Sequence, residues 1–379
     1  MGEHMEKKEK KVEYIELIYD LIFVYIIGRN NSLLHNINGG FIDSASLLTY
    51  GLTTLIVLQI WFYTTLYVNR YAENGPKLYV GIFVNMFLLY FMSQGIRSDW
   101  RDHYAEFCGA WALILINLAC LYISQYRATD PSKAAERKQI RFSMITLFTQ
   151  AGFALLTIPV YLYTGVPLGS AAMVFGVVMA LCGTKINSMI PVDFAHLTER
   201  VMLYVVFTFG EMVIAIALYF EGGINFNTVY FALCAFLIVV GLFTSYGLMY
   251  DRIIDKEIST NGTAYMMLHI FLILALNNIT AAMEFMREDE VLPLYKTLFI
   301  TISMVCYFVL LLIIGRIYAK PQLKHDKIYI VWNIISMAVF IVLMTVFYSN
   351  GFVNIAISVL YVASVYLQLL LYRKRNKCD

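Results

Sequence analysis

Apolar stretches of roughly twenty residues recur along the chain, separated by short polar breaks. A helix rises about 1.5 Å per residue and needs about 20 residues to cross the hydrocarbon of a bilayer, so each stretch predicts one membrane-spanning helix. Twelve such runs are countable, at about 13–35, 44–68, 78–97, 104–126, 140–163, 168–186, 198–220, 227–249, 264–284, 294–316, 328–348 and 352–372. Strands of an outer-membrane barrel would alternate apolar and polar residues over about ten positions, which these runs do not. The predicted fold class is all-α: a polytopic transmembrane helix bundle of about 12 spans. Its loops, of about 5–15 residues, leave no room for a sizeable soluble domain.

The polar segment near 185–200 divides the runs into two sets of six, predicting an N-terminal half, 1–190, and a C-terminal half, 191–379. Two internal echoes support a duplication. IWFYTTLYVNRY (60–71) is matched by LFTSYGLMYDRI (242–253), which places Asn69-Arg70 and Asp251-Arg252 at corresponding ends, and YDLIFVYI (19–26) is matched by GEMVIAIA (210–217). An even number of spans per half makes these parallel repeats, a plan known from transporters.

Composition agrees with a lipid solvent: 60% of residues are hydrophobic and 14% charged, against about 25% charged in soluble domains. Of the 28 Lys and Arg residues, 23 fall on the side of the two termini and 5 on the other. The positive-inside rule therefore predicts cytoplasmic termini and a multi-pass protein of the bacterial cytoplasmic (inner) membrane. MGEHMEKKEK at the start is too polar for a signal peptide core, so the first apolar run is expected to be retained; Glu3-His4-Met5 fits a cloning remnant as well as native sequence. The six cysteines, Cys108, Cys120, Cys182, Cys234, Cys306 and Cys378, show no C-x-x-C spacing and read as small buried hydrophobes.

Ionisable groups within spans are costly, about 2.5–3.5 kcal/mol each, so they are the candidates for function. At 100° per residue Glu13, Glu16 and Asp20 share one face of the first helix, and Asn31 and His35 continue it. Such a seam must face other helices or water; the alternative for Glu13 and Glu16 is a place at the cytoplasmic interface near the helix N-terminus, where the dipole favours acids, whereas Asp20 lies deeper. In the seventh run His196, Glu199 and Arg200 stand at the cytoplasmic edge, and Glu211 lies near the expected midplane. Arg200 and Glu211 share a face but are separated by about 16 Å along the axis, too far to pair directly. Glu211 reads either as a proton-binding carboxylate or as a hydrogen-bonded anchor between helices. His269 shares a face with Tyr265, Thr280 and Arg287 and is either a titratable group or a satisfied core histidine. The stripe Ser143, Thr146, Gln150 and Thr157 reads as packing.

No H-E-x-x-H, Walker A loop, G-x-S-x-G elbow or dinucleotide fingerprint is present, and the histidines lack i, i+3 or i, i+4 partners. No cofactor or metal site is expected, and no nucleic-acid partner. The expected partners are the lipid bilayer and a small solute, ion or lipid, with a homo-oligomer allowed.

Glu16-Leu17-Ile18-Tyr19-Asp20-Leu21-Ile22-Phe23-Val24 resembles the opening E-L-F-F-D-L-V-F-V of the bacterial low temperature requirement protein A (LtrA) family. His196, Glu199-Arg200, Leu203 and Gly210-Glu211 resemble that family's H-x-x-E-R-x-G-L-F followed by L-G-E. Trp61, Thr65, Asn69-Arg70 and the pair Tyr265 and His269 also fit. Ile18, Met202 and Gly28-Arg29 depart from the pattern. The resemblance implies a multi-pass membrane protein connected by name with growth in the cold, and no biochemical activity. A looser likeness, carried by Asp20 and Phe23 alone, is to an FSD-motif potassium channel family.

Three functions follow as expectations. The preferred one is a secondary transporter or ion-conducting protein with Glu16, Asp20, Glu199, Arg200, Glu211 and His269 on its pathway, and Arg70, His196 and Arg252 as cytoplasmic-side partners. In it Asp20 and Glu211 are the coupling carboxylates. The others are a membrane-embedded enzyme or lipid-handling protein using the same acids as bases, and a structural or regulatory protein in which the acids are fully paired.

Overall fold

The computed structural model describes residues 11–97, 100–221, 223–324 and 326–375. The reading of residues 1–10 as an uncleaved lead-in, the histidines at 4 and 325, and Cys378 lie outside the described residues. Each predicted apolar run lies on a helix. In chain order these are α1 (Tyr14–Asn31), α2 (Ser44–Tyr71), α3 (Pro76–Gln94), α4 (Trp100–Ala128), α5 (Ala134–Thr164) and α6 (Gly169–Cys182), then a single turn, α7 (Thr184–Asn187). They continue with α8 (Phe194–Ala217), α9 (Phe226–Leu248), α10 (Thr263–Phe285), α11 (Pro293–Ile317), α12 (Lys327–Val346) and α13 (Gly351–Arg375).

Among the described residues, ten helices are long and apolar enough to cross a membrane. α1 is not among them because Glu16, Asp20 and Arg29 interrupt its 18 residues. α6 is not among them because its 14 residues extend only about 21 Å, short of a hydrocarbon core of about 30 Å. Large apolar side chains cover much of the outer surface, and many polar ones are buried among the helices. α12 exposes Ile328, Val331, Trp332, Ile335, Val339 and Val342 while burying Asn333, and α13 exposes Leu360, Leu367 and Leu371 while burying Asn354 and Ser358. The chain is a multi-pass helical membrane protein in contact with a lipid bilayer.

The helices form two compact units, residues 1–29, 51–204 and 256–266 in the first and 30–50, 205–255 and 267–379 in the second. In the first, α3 packs on α4, α4 on α5 and α5 on α6, each helix returning beside its predecessor. Its interior carries amide pairs: Gln150 Nε2 donates to Gln59 Oε1 at 2.6 Å and Gln139 Nε2 to Asn187 Oδ1 at 3.0 Å. In the second, α9 packs on α13, α13 on α12 and α12 on α11. A two-residue hairpin, β1 (Ile37–Asn38) against β2 (Phe41–Ile42), also belongs to this unit. Gly39 and Gly40 make its turn with φ of 60° and 87°, the left-handed pair that a tight hairpin of this twist demands.

Candidate functional site

Within the first unit, α1 and α8 each present two polar residues one helical turn apart, Glu16 with Asp20 and His196 with Arg200. An i, i+4 spacing stacks both members of a pair on one face. The packing brings the two pairs together. Arg200 donates from Nη2 to Asp20 Oδ1 at 3.1 Å and from Nε to Oδ2 at 3.4 Å, while its Nη1 reaches Glu16 Oε2 at 3.0 Å. The planar guanidinium is suited to this, since its fork can grip one carboxylate with two nitrogens and hold a second with the third, as an ammonium cannot. α2 closes the set: Trp61 Nε1 donates to Asp20 Oδ1 at 2.9 Å. Asp20 and Arg200 are 0% exposed, His196 1% and Glu16 3%.

The neighbouring hydrogen bonds decide which nitrogen of His196 carries its proton. Asn69, on α2, accepts the Asp193 backbone N–H at its Oδ1 (3.0 Å) and donates Nδ2 to the Asp193 carbonyl (2.9 Å), which fixes its amide orientation. The same Nδ2 lies 2.9 Å from His196 Nδ1, which must therefore accept. The proton then sits on Nε2 and is donated to Glu16 Oε1 at 3.3 Å. Asp193 also caps α8, its Oδ1 accepting the His196 backbone N–H at 3.1 Å. Aromatic rings seal the cluster, with Trp61 4.6 Å from Tyr204, Phe23 5.9 Å from Tyr204 and Tyr19 5.1 Å from Phe23. The Tyr19 hydroxyl hydrogen-bonds Thr64 Oγ1 at 3.1 Å.

Of the residues singled out from sequence, Glu16, Asp20, His196 and Arg200 thus meet in one cluster. Glu199, on the same turn of α8, is half-buried. Arg70 holds two loops through backbone carbonyls, donating from Nε to Ile190 O at 3.1 Å and from Nη2 to Asn261 O at 2.9 Å. Glu211, His269 and Arg252 belong to the second unit, where Glu211 is half-buried, Arg252 is exposed and His269 is buried with its ring edge-on to Tyr246 at 6.0 Å. Trp61 and Asn69 drew notice in the sequence only as part of a motif, and Asp193 drew none. Its signal was an acid three residues before His196 at a helix start.

A second charged cluster lies in the second unit. His35 Nε2 is 3.3 Å from Glu284 and its Nδ1 is 3.8 Å from Glu288. The nearby Glu288 carboxylate, with the charge of Glu284, holds the His35 imidazole above its ordinary value in spite of partial burial. One donor atom from each of these residues lies within 4.8 Å of the others, so among the described residues this trio has the spacing to hold a metal ion.

None of the curated proteins matches this chain. The family described as bacterial low temperature requirement A protein (LtrA) matches residues 11–370, nearly the whole chain. That span takes in both the Glu16–Asp20 turn of α1 and the His196–Arg200 turn of α8, and the chain belongs to the LtrA family.

Proposed function

We propose that this LtrA-family protein is a secondary transporter or ion-conducting protein of the bacterial cytoplasmic membrane, with twelve spans in two parallel repeats and both termini inside. The observation that carries the transport reading is the burial of Glu16, Asp20 and Arg200, none of them more than 3% exposed. Stability alone is a poor reason for such a set. Replacing a buried ion pair by apolar groups of similar volume is often neutral or stabilising by about 1–4 kcal/mol, whereas each charge costs about 2.5–3.5 kcal/mol to insert.

One guanidinium gripping two carboxylates has a natural second state. A proton or cation taken up by one acid cancels that acid's hold on Arg200, leaves the guanidinium to the other, and loosens the tie between α1 and α8. Asp20 and Glu211 are the coupling carboxylates in this scheme and Arg200 is the exchangeable partner, with Arg70 and Arg252 on the cytoplasmic side and His269 as a titratable neighbour. The test is proton and cation flux through the purified chain in liposomes. Wild type should conduct above empty liposomes and Asp20→Asn with Glu211→Gln should not; equal flux in the two proteins rejects the assignment.

A different observation favours a second reading, a structural clasp. Both acids of the cluster accept more than one hydrogen bond, at least two at Glu16 and three at Asp20. A clasp predicts that Asp20→Asn lowers resistance to unfolding while wild-type liposomes show no flux above the empty ones.

A further inference from the structure

In the second unit α12 and α13 run antiparallel and meet along one line. Tyr329 lies against Tyr372 with ring centres 4.7 Å apart, Gln368 Nε2 donates to Ser336 Oγ at 2.6 Å, and Phe340 stacks on Tyr361 at 4.1 Å. The same residues line a cleft of two hollows, about 340 and 220 Å³, that join at Trp332. From Ile328 to Leu343 the α12 wall is about 22 Å long at about 1.5 Å per residue. That is enough to hold an acyl chain through one leaflet, half of a hydrocarbon core of about 30 Å. Ile328, Trp332, Val339, Leu360 and Leu371 give the cleft exposed apolar sides.

One end of the cleft is basic. Arg375 lines it, Lys327 precedes Ile328, and Lys324 is held there by its carbonyl, which accepts the Tyr372 hydroxyl at 3.0 Å. Counter-charge is present but falls short. Asp326 pairs with Arg375 through Oδ2 while its Oδ1 accepts the Tyr329 backbone N–H at 2.8 Å. Asp251 and Asp255 reach this end on the segment whose Ile254 pairs with Ala319. Against these acids stand Lys320, Lys324, Lys327, Arg373, Lys374 and Arg375, so among the described residues this end of the unit keeps a net positive charge. A guanidinium has five N–H donors, so Arg375 can hold Asp326 and a phosphate together.

We infer that this cleft binds one anionic phospholipid, with an acyl chain along Trp332 and Val339 and the phosphate at the basic end, on Arg375, Lys324 and Lys327. A basic end joined to an apolar groove is what such a lipid requires, whereas a soluble phosphate has no use for the groove. A second copy of the chain fits poorly. A two-fold axis along the membrane normal would set two basic ends side by side, where like charges repel. The site does not depend on the transport reading.

The test uses the full chain in phosphatidylcholine liposomes, into which brominated phosphatidylglycerol or brominated phosphatidylcholine is mixed in rising proportion. Bromine on an acyl chain quenches a tryptophan that it touches, and subtracting the emission of Trp332→Phe from that of wild type isolates Trp332. Half-quenching should need about fivefold less phosphatidylglycerol than phosphatidylcholine, the preference that one Lys or Arg near the surface confers. Lys324→Gln with Lys327→Gln should bring the two lipids close to parity. Lys138→Gln with Arg141→Gln, which removes the same charge from α5 in the first unit, should leave the preference in place. All four side chains are exposed, so neither pair of substitutions threatens the fold. The inference is overturned if the two lipids quench Trp332 alike in wild type, if both pairs of substitutions lower the preference equally, or if neither does. Glycerol phosphate that abolishes the preference at constant ionic strength would assign the site to a soluble anion, and a Trp332 that no brominated lipid quenches would assign the cleft to a second copy; either result overturns the inference as well.

Discussion

Removing Arg200 gives the sharpest test of the buried cluster. In Arg200→Met the apolar stem is roughly preserved while three hydrogen bonds to Glu16 and Asp20 disappear. Two carboxylates at 3% and 0% exposure then lose the guanidinium that holds them both. Breaking a buried pair from one side costs about 3–5 kcal/mol, because the remaining charge is uncompensated. That is a large share of the roughly 5–15 kcal/mol by which a protein is ordinarily stable. The companion variant, Glu16→Leu with Asp20→Leu and Arg200→Met, leaves no charge to compensate and should recover most of the loss, so the three substitutions should be strongly non-additive. Arg200→Lys should fall between, since an ammonium lacks the fork that serves both acids. Unfolding by detergent or heat in micelles measures all four proteins. A single variant as stable as wild type, or a triple variant less stable than the single, refutes the reasoning.

The hydrogen bonds of Asn69 place the His196 proton on Nε2, so nitrogen NMR of imidazole-labelled protein should show a protonated Nε2 and a bare Nδ1; a protonated Nδ1 contradicts the assignment. Asn69→Leu, which strips those contacts, should cost about 1–3 kcal/mol in the same unfolding assay. His35 titrates above its ordinary value through Glu288 and Glu284, so its contribution is complete below that ordinary value and is lost as pH rises through the higher one in the folded protein. Stability measured between about pH 5 and 8 should decline on the alkaline side in wild type and be flatter in His35→Asn; identical profiles dismiss the ion pair. Gly262 has φ +76° and a Cβ there would lie 2.5 Å from Leu197 Cδ2, so Gly262→Ala should cost about 1–2 kcal/mol or more; a neutral substitution shows that the turn relaxes freely.

Much of the helical plan was legible before any coordinates. Each predicted run lies on a helix, because length and hydropathy are local properties that the bilayer reads directly. The α1 seam was legible for the same reason, since Glu16 and Asp20 are one turn apart and the period of the helix places them together. The limits of α1 were less so. Apolar content alone ran the first segment to His35, whereas α1 ends at Asn31 and a tighter turn carries His35 toward Glu284 and Glu288.

By itself, then, the chain determined its solvent, its helices and which faces had to be turned from lipid. Only the tertiary structure decided who answers those faces. Arg200 stands on the same helix as Glu211 but grips Glu16 and Asp20, some 180 residues away, and Arg70 holds the carbonyls of Ile190 and Asn261. Asn69, through Asp193, sets the proton of His196. The physical reason is that a helix period specifies direction, while a pairing also needs the neighbour that packing brings within about 3 Å, and no local spacing encodes that neighbour.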